Sequence, residues 1–366
     1  MISAFFAAAL AIGASCDLEH PSGKGACTRA VVDRLPMNAI QVVGSHNSYK
    51  AAIAPKEMAL IKATSPRSAL GLDYSHPSLT QQLNEGARQI ELDYVYDPQG
   101  GRYAHPLGLK MAHDEAEAPY DSAVMMAPGL KVMHVPDIDY RSVCATFVKC
   151  LSEIKAWSKA HPDHLPILII MNLKDDGLNI PGAVSLLPFD AKAMDSIDKE
   201  VLSVFSKSQI ITPDEVRGRH PTVRDGVLAG GWPKLKSARG RFLFAVDEDS
   251  PKVALYRGAR KSLEGRVMFV NTDEASPAAA YLTLNSPLTE GERIAKAVRA
   301  GFIVRTRADA DTVEARTNDR TRQVAAFASG AQYVSTDYMT PDARLSTYET
   351  HLPGGGVARH SPVAVR

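Results

Sequence analysis

Short apolar runs rich in β-branched residues recur along this 366-residue chain, and helical patterns separate many of them. The runs cover residues 40–43, 89–92, 131–135, 167–173, 242–246, 267–270, 302–304 and 332–335. Several are continuous rather than alternating, as expected for parallel strands covered on both faces. Residues 142–160 place Val143, Phe147, Leu151, Ile154 and Trp157 at helical intervals. Residues 189–205, 289–300 and 312–329 read the same way, and Gly301 and Gly330 follow the last two as C-terminal stops. Strands alternating with helices predict a parallel sheet. Eight such units with no second composition zone predict an α/β fold closed as a (β/α)8 TIM barrel. An open doubly wound sheet is the alternative.

Composition narrows the function classes. Hydrophobic residues at 45% supply a core, which excludes disorder over the whole chain. A balance of 42 basic against 41 acidic residues leaves a net charge of +1, so no global footprint for nucleic acid exists. No run reaches the ~18 apolar residues of a membrane span. Residues 1–15 carry no charge and include an apolar run at 4–12 followed by Gly13, Ala14 and Ser15. They are expected to be a cleaved export signal, although no basic residue precedes the run. The catalytic domain is expected over residues 16–345 and a flexible tail over 346–366. Cys16 with Cys27 and Cys144 with Cys150 form two local pairs, neither with the C-x2-C spacing of zinc ligands. In an exported chain they predict two disulfides, and with them a secreted or periplasmic location. Dinucleotide-binding, P-loop, nucleophile-elbow and H-E-x-x-H motifs are absent.

In a barrel, chemistry lies at the carboxyl ends of the strands. The first run leads into Gly44-Ser45-His46-Asn47-Ser48-Tyr49, and the second carries Glu91 and Asp93. The third supplies His134, the fourth Asn172 and Lys174, and the fifth Asp247. The last two give Arg305 with Arg307, then Ser335, Asp337 and Tyr338. Strand alternation puts Glu91 and Asp93 on one face, where two carboxylates repel unless a cation or a shared proton relieves them. With Asn47 they suit a hard, oxygen-ligated divalent ion. His46 and His134 can then serve as base and acid. Lys174, Arg305 and Arg307 add positive charge suited to a phosphate.

The stretches GSHNSY (44–49), RQIELDYVYDPQGG (88–101) and KVMHVPDIDYRSVC (131–144) resemble the calcium-dependent, phosphoinositide-specific phospholipases C of bacteria. Residues 165–176, 225–233, 266–271, 304–319 and 330–338 fit the same family. The resemblance implies His46 and His134 as the catalytic pair, and one calcium ion bound by Asn47, Glu91 and Asp93. It implies that Arg305 meets the substrate, with Lys174, Arg307 and Tyr338 as further substrate-binding candidates. Eukaryotic relatives place a glutamate ligand on the fourth strand, where this chain has Asn172, a further calcium-ligand candidate whose amide oxygen can bind the ion with one less negative charge. They carry an inositol-facing tyrosine near the position of Arg307.

The implied reaction cleaves phosphatidylinositol by attack of a ring hydroxyl on phosphorus, giving diacylglycerol and a cyclic inositol phosphate. The implied partners are a phosphoinositide lipid and, transiently, a membrane surface, with no nucleic acid and a monomeric chain. Two alternatives are a metal-dependent glycerophosphodiesterase and a catalytically silent barrel that binds lipid or inositol phosphate. The apolar residues of the 97–129 loop, among them Tyr103, Leu109, Met111, Tyr120, Met125 and Met126, either insert into lipid headgroups or pack over the rim.

Overall fold

The computed structural model describes residues 16–113 and 118–365, so the expected export signal lies outside the described residues. The strands are β1 (Ile40–Ser45), β2 (Gln89–Val95), β3 (Lys131–Val132), β4 (Ile167–Leu173), β5 (Phe242–Val246), β6 (Phe269–Val270), β7 (Tyr281–Thr283), β8 (Ile303–Arg307), β9 (Tyr333–Thr336) and β10 (Ala358–His360). They form two five-stranded sheets, ordered β10-β1-β9-β8-β7 and β3-β2-β4-β5-β6. β1, β2 and β4 to β9 run parallel to the neighbours they share among themselves, while β3 and β10 are antiparallel edges. Among the parallel strands the order follows a barrel circuit, but its two seams are stitched by single bonds rather than ladders. At one seam Asn271 bridges Tyr281, and Thr283 N–H donates to Asn271 Oδ1 at 3.0 Å. At the other, Arg88 N–H donates to the Val43 carbonyl at 2.9 Å and Ser48 N–H to that of Glu91 at 3.0 Å. Gly44 permits this approach, since a Cβ there would stand 2.4 Å from Cβ of Gln89.

The third run, expected as a parallel barrel strand, is instead a two-residue strand returning antiparallel along β2. β2 pairs directly with β4 instead, and β7, between β6 and β8, supplies the eighth strand of the circuit. Its three residues, Tyr-Leu-Thr, are too short to register as an apolar run. The tail 346–366, expected to be flexible, contains β10, which pairs antiparallel with the start of β1.

The helices bury one face each against the sheets. Phe147–Ala160 buries Phe147, Leu151, Ile154 and Trp157, and its N-cap Thr146 accepts from Lys149 N–H. It starts later than the spacing predicts, because residues 142–145 form a strap with Ala145 at φ 51°. The helix expected over 312–329 is two helices, Val313–Thr317 and Thr321–Ala328, broken by Asn318 at φ 51°. Both disulfides are present, Cys16–Cys27 and Cys144–Cys150. In the 97–129 loop Tyr103 and Met125 are buried with Met133 and Tyr140, and Leu109 and Tyr120 pack on them, whereas Met111 and Met126 are exposed.

Candidate active site

β1 ends in Ser45, and the chain then turns through Asn47 in the left-handed region at φ 44°, a conformation that asparagine tolerates. His46 is therefore presented at the strand mouth. Its Nδ1 lies 2.7 Å from Asp337 Oδ1, just past β9, and its Nε2 stands 3.8 Å from Glu91 Oε1 on β2. Tyr74 adds a hydroxyl 3.4 Å from the same Nδ1, and its ring stacks on the imidazole. Behind it, His76 Nε2 bonds the His46 carbonyl at 2.8 Å, and burial pushes the His76 ring down to about 4. Asp337 gives its second oxygen to Arg307 at 3.1 Å. Burial works to raise Asp337, but His46 and Arg307 outweigh it and hold the carboxyl at about 2.

The second histidine arrives by a different route. Because β3 runs back along β2, Met133 N–H reaches the Asp93 carbonyl at 3.2 Å, which brings His134 alongside that level of the site. His134 Nδ1 lies 2.8 Å from Asp139 Oδ2, and Asp139 Oδ1 accepts from Lys50 Nζ at 2.9 Å. The two histidines thus share one arrangement: Nδ1 is held by a carboxylate whose other oxygen is held by a cation. Each ring keeps Nε2 for chemistry.

Glu91 and Asp93 point from the same face of β2, both buried. Glu91 Oε2 pairs with Arg305, whose Nη1 donates to Asn285 Oδ1 at 2.7 Å, and Glu91 Oε1 accepts from Asn172 Nδ2 at 3.1 Å. Asp93 Oδ2 pairs with Lys174 at 2.9 Å, while Asp93 Oδ1 is buried and has no hydrogen-bond partner. The nearby Tyr49 hydroxyl is likewise buried and unpartnered, raised by burial and then by the Asp93 charge. Asp247 joins the interior of this ring, pushed by burial to about 6 against the pull of Arg305. Among the described residues no three acidic, histidine or cysteine side chains already converge as a metal cluster. The donors nonetheless fit a hard cation: two adjacent carboxylates, one with a buried oxygen that no hydrogen bond takes, the Asn172 amide on Glu91, and Asn47 in the turn beside His46. Their accommodation requires Lys174 to leave Asp93 and Asn172 to turn its oxygen inward.

Nine of the ten expected site residues take part in these contacts. Asn47 does so through Tyr74, to whose hydroxyl its Nδ2 donates at 2.9 Å. Tyr338 differs: it is buried edge-on against Tyr348 in a side cluster with Ala315. Arg305, expected to meet substrate, is buried behind Glu91. Asp139, Lys50, Tyr74 and Asn285 were missed. The V-P-D-I-D stretch after His134 was the only sequence signal for the first of these.

Two solved structures share this fold. A calcium-dependent phosphoinositol-specific phospholipase C from Pseudomonas sp. is 16% identical, with 89% of this chain and 96% of that chain covered and a TM-score of 0.55. A Ca2+-dependent phosphatidylinositol-specific phospholipase C from Streptomyces antibioticus is 18% identical, covering 82% and 94%, with a TM-score of 0.52. A search of curated proteins finds no match. The architecture is thus an α/β fold of the phospholipase C-like phosphodiesterase class. Residues 35–362 match the family described as phosphoinositide phospholipase C, Ca2+-dependent, and the chain belongs to that family of phosphoric diester hydrolases.

Proposed function

We propose that this chain cleaves phosphatidylinositol-type lipids by acid–base catalysis, with His46 and His134 exchanging protons through Nε2. The observation that carries this reading is the matched clamping of the two imidazoles by Asp337 and Asp139. One histidine takes the proton of a ring hydroxyl as its oxygen attacks phosphorus, and the other protonates the departing diacylglycerol oxygen. One calcium ion, held by Asn47, Glu91 and Asp93 with Asn172 at the margin, would lower the hydroxyl pKa and offset charge on the phosphoryl oxygens. Arg305 orients Glu91, and Arg307 orients Asp337. Lys174 is the most accessible cation of the group and meets the substrate phosphate once it leaves Asp93.

Membrane contact is supported by the rim. Exposed Leu60 and Leu70 sit on the helices Pro55–Thr64 and Pro66–Leu72 after β1, exposed Met111 on Leu107–Ala112 after β2, and exposed Val313 after β8. All four lie in connections leaving the carboxyl ends of the strands. Thr312 Oγ1 donates to the Leu70 carbonyl at 2.9 Å, which joins two of these connections. The disulfides support an extracytoplasmic location.

Product analysis on labelled phosphatidylinositol vesicles, with calcium and with chelator, tests the reading. Inositol phosphate and diacylglycerol should appear with calcium alone. Full activity in excess chelator would remove the ion from the mechanism. Turnover of deacylated glycerophosphoinositol only would make the chain a glycerophosphodiesterase.

A further inference from the structure

Lys50, three residues past Asn47, is a fully buried lysine in the catalytic neighbourhood. Its side chain and that of Asp139 are both fully buried, at 0% exposure each. Nζ lies 2.9 Å from Asp139 Oδ1 and 5.0 Å from the centroid of the Tyr74 ring, the same ring that stacks on His46. Lys50 follows the His46-Asn47 turn closely: its N–H bonds the Asn47 carbonyl at 2.8 Å, and its carbonyl accepts from His76 N–H at 2.9 Å. Residues 49–51 also pair with residues 141–143, which follow Asp139 closely in the chain. Val143 N–H donates to the Tyr49 carbonyl at 2.8 Å and Ala51 N–H to that of Arg141 at 3.2 Å. The chain that presents one histidine therefore also anchors the carboxylate that holds the other.

A lysine is almost never fully buried unless paired, and breaking such a pair leaves an uncompensated charge. Hydrophobic packing would fill this volume without that liability. The ammonium is intelligible if Asp139 must stay in one position with one oxygen committed. Its other oxygen then accepts from His134 Nδ1, which fixes the tautomer and points Nε2 at the site, as an aspartate orients a catalytic imidazole elsewhere.

We propose that Lys50 is a positioning residue of the reaction, locking Asp139 so that Asp139 holds His134 with Nε2 free. The proposal rests on the reading of His134 as catalytic. Among the titratable groups that face this unit, Tyr49 is raised by burial and, in smaller part, by the Asp139 charge. Asp137, on the same hairpin, is committed to the N–H groups of Leu107 and Val184. Glu57, on the helix Pro55–Thr64, is taken by Tyr140 and Arg141. Asp93 on β2 faces Lys174, and Tyr74 and His76 close the side toward His46. Asp139 is thus the carboxylate bonded to the His134 ring, and Lys50 takes a share of its charge.

The test compares wild type, Lys50→Met, His134→Ala and the double variant on phosphatidylinositol vesicles with calcium, alongside NMR of the His134 ring. Lys50→Met should lower kcat ~10–100-fold with KM nearly unchanged. In the His134→Ala background it should cost less than about threefold more, because the two act as a unit. The neutral His134 ring should lose part of its preference for the Nδ1–H tautomer, since an Asp139 no longer fixed by Lys50 holds that proton less firmly. A kcat loss that adds in full to that of His134→Ala, or an unchanged tautomer preference in Lys50→Met, overturns the proposal. If Lys50→Met does not fold, Lys50→Gln replaces it with the same expectations. The wild-type ring decides independently: the neutral His134 should be the Nδ1–H tautomer, and an Nε2–H tautomer overturns the proposal. Full activity of His134→Ala would instead sink the catalytic reading of that histidine, a result separate from the tautomer.

Discussion

Each carboxylate of the β2 pair is matched to one cation of different mobility. Arg305 is buried behind Glu91, whereas the Lys174 side chain is 33% exposed against 2% for Asp93. Lys174 can leave; Arg305 cannot without stranding a buried charge. Lys174→Met should therefore tighten calcium binding by roughly fivefold, since a competing cation at an accessible pair is lost. Calorimetric titration of the chelator-treated protein measures it, and weaker binding would make Lys174 part of the ion's support instead. Arg305→Lys should weaken calcium binding and lower activity in parallel, because a single ammonium cannot hold Glu91 and Asn285 as the guanidinium fork does. Unchanged calcium affinity with a fall in turnover would return Arg305 to direct substrate contact. Replacing His46 or His134 by alanine should each cost ~10²-fold or more in kcat with the fold intact, as measured by turnover and thermal melting. At this scale the sequence showed which residue types gather at strand ends. It did not show which carboxylates Arg305 and Arg307 pair with, because pairing across strands depends on register.

Two local devices decide how the elements deliver these side chains. The first is the β1–β2 seam, where Gly44 admits Gln89 and lets single bonds replace a ladder. Gly44→Ala should destabilise the fold by about 1–3 kcal/mol, since the added methyl meets both side chain and backbone of Gln89. Chemical denaturation reads this, and a neutral result would show that the seam opens freely. The second is the antiparallel return of β3. Its apolar, β-branched composition matches that of a barrel strand, so sequence alone placed it in the circuit. The pairing of Tyr94 with Val132 and Val95 with Lys131 shows otherwise. Lys131 explains the choice: its ammonium is fully buried on Asp97 and on the carbonyls of Ala127 and Gly129, a site that exists only if the chain doubles back.

Across the whole molecule, buried acids beneath the site couple stability to pH in opposite directions. Burial, then the Asp337 charge, pushes Asp309 from its ordinary 3.8 to about 7. Between about pH 4 and 7 the native state holds a proton that the unfolded chain has lost, so this group makes stability fall as pH rises. Asp337, held at about 2, contributes stability above about pH 4 that disappears as pH falls toward 2. Asp309→Asn should flatten the decline between pH 4 and 7 in melting curves recorded with chelator; an unchanged slope would assign it to other groups. The rim makes a second molecular prediction. Leu70→Asp combined with Val313→Asp should reduce turnover of vesicles ~10-fold or more while sparing a water-soluble phosphodiester substrate. Equal loss on both would mean the rim shapes the site rather than the contact with lipid. Residue order alone determined the alternation of strand and helix, the local cysteine pairs, and the strand ends that carry His46, Glu91, Asp93 and Arg305, because periodicity and short spacing are properties of the chain itself. Tertiary structure decided the rest. Asp337 meets His46 across 291 positions. Arg305 meets Glu91 across 214, and β7 rather than β3 makes up the eighth strand of the circuit. Such partners are chosen by which strands become neighbours and in what register, and no local pattern in either segment encodes that choice.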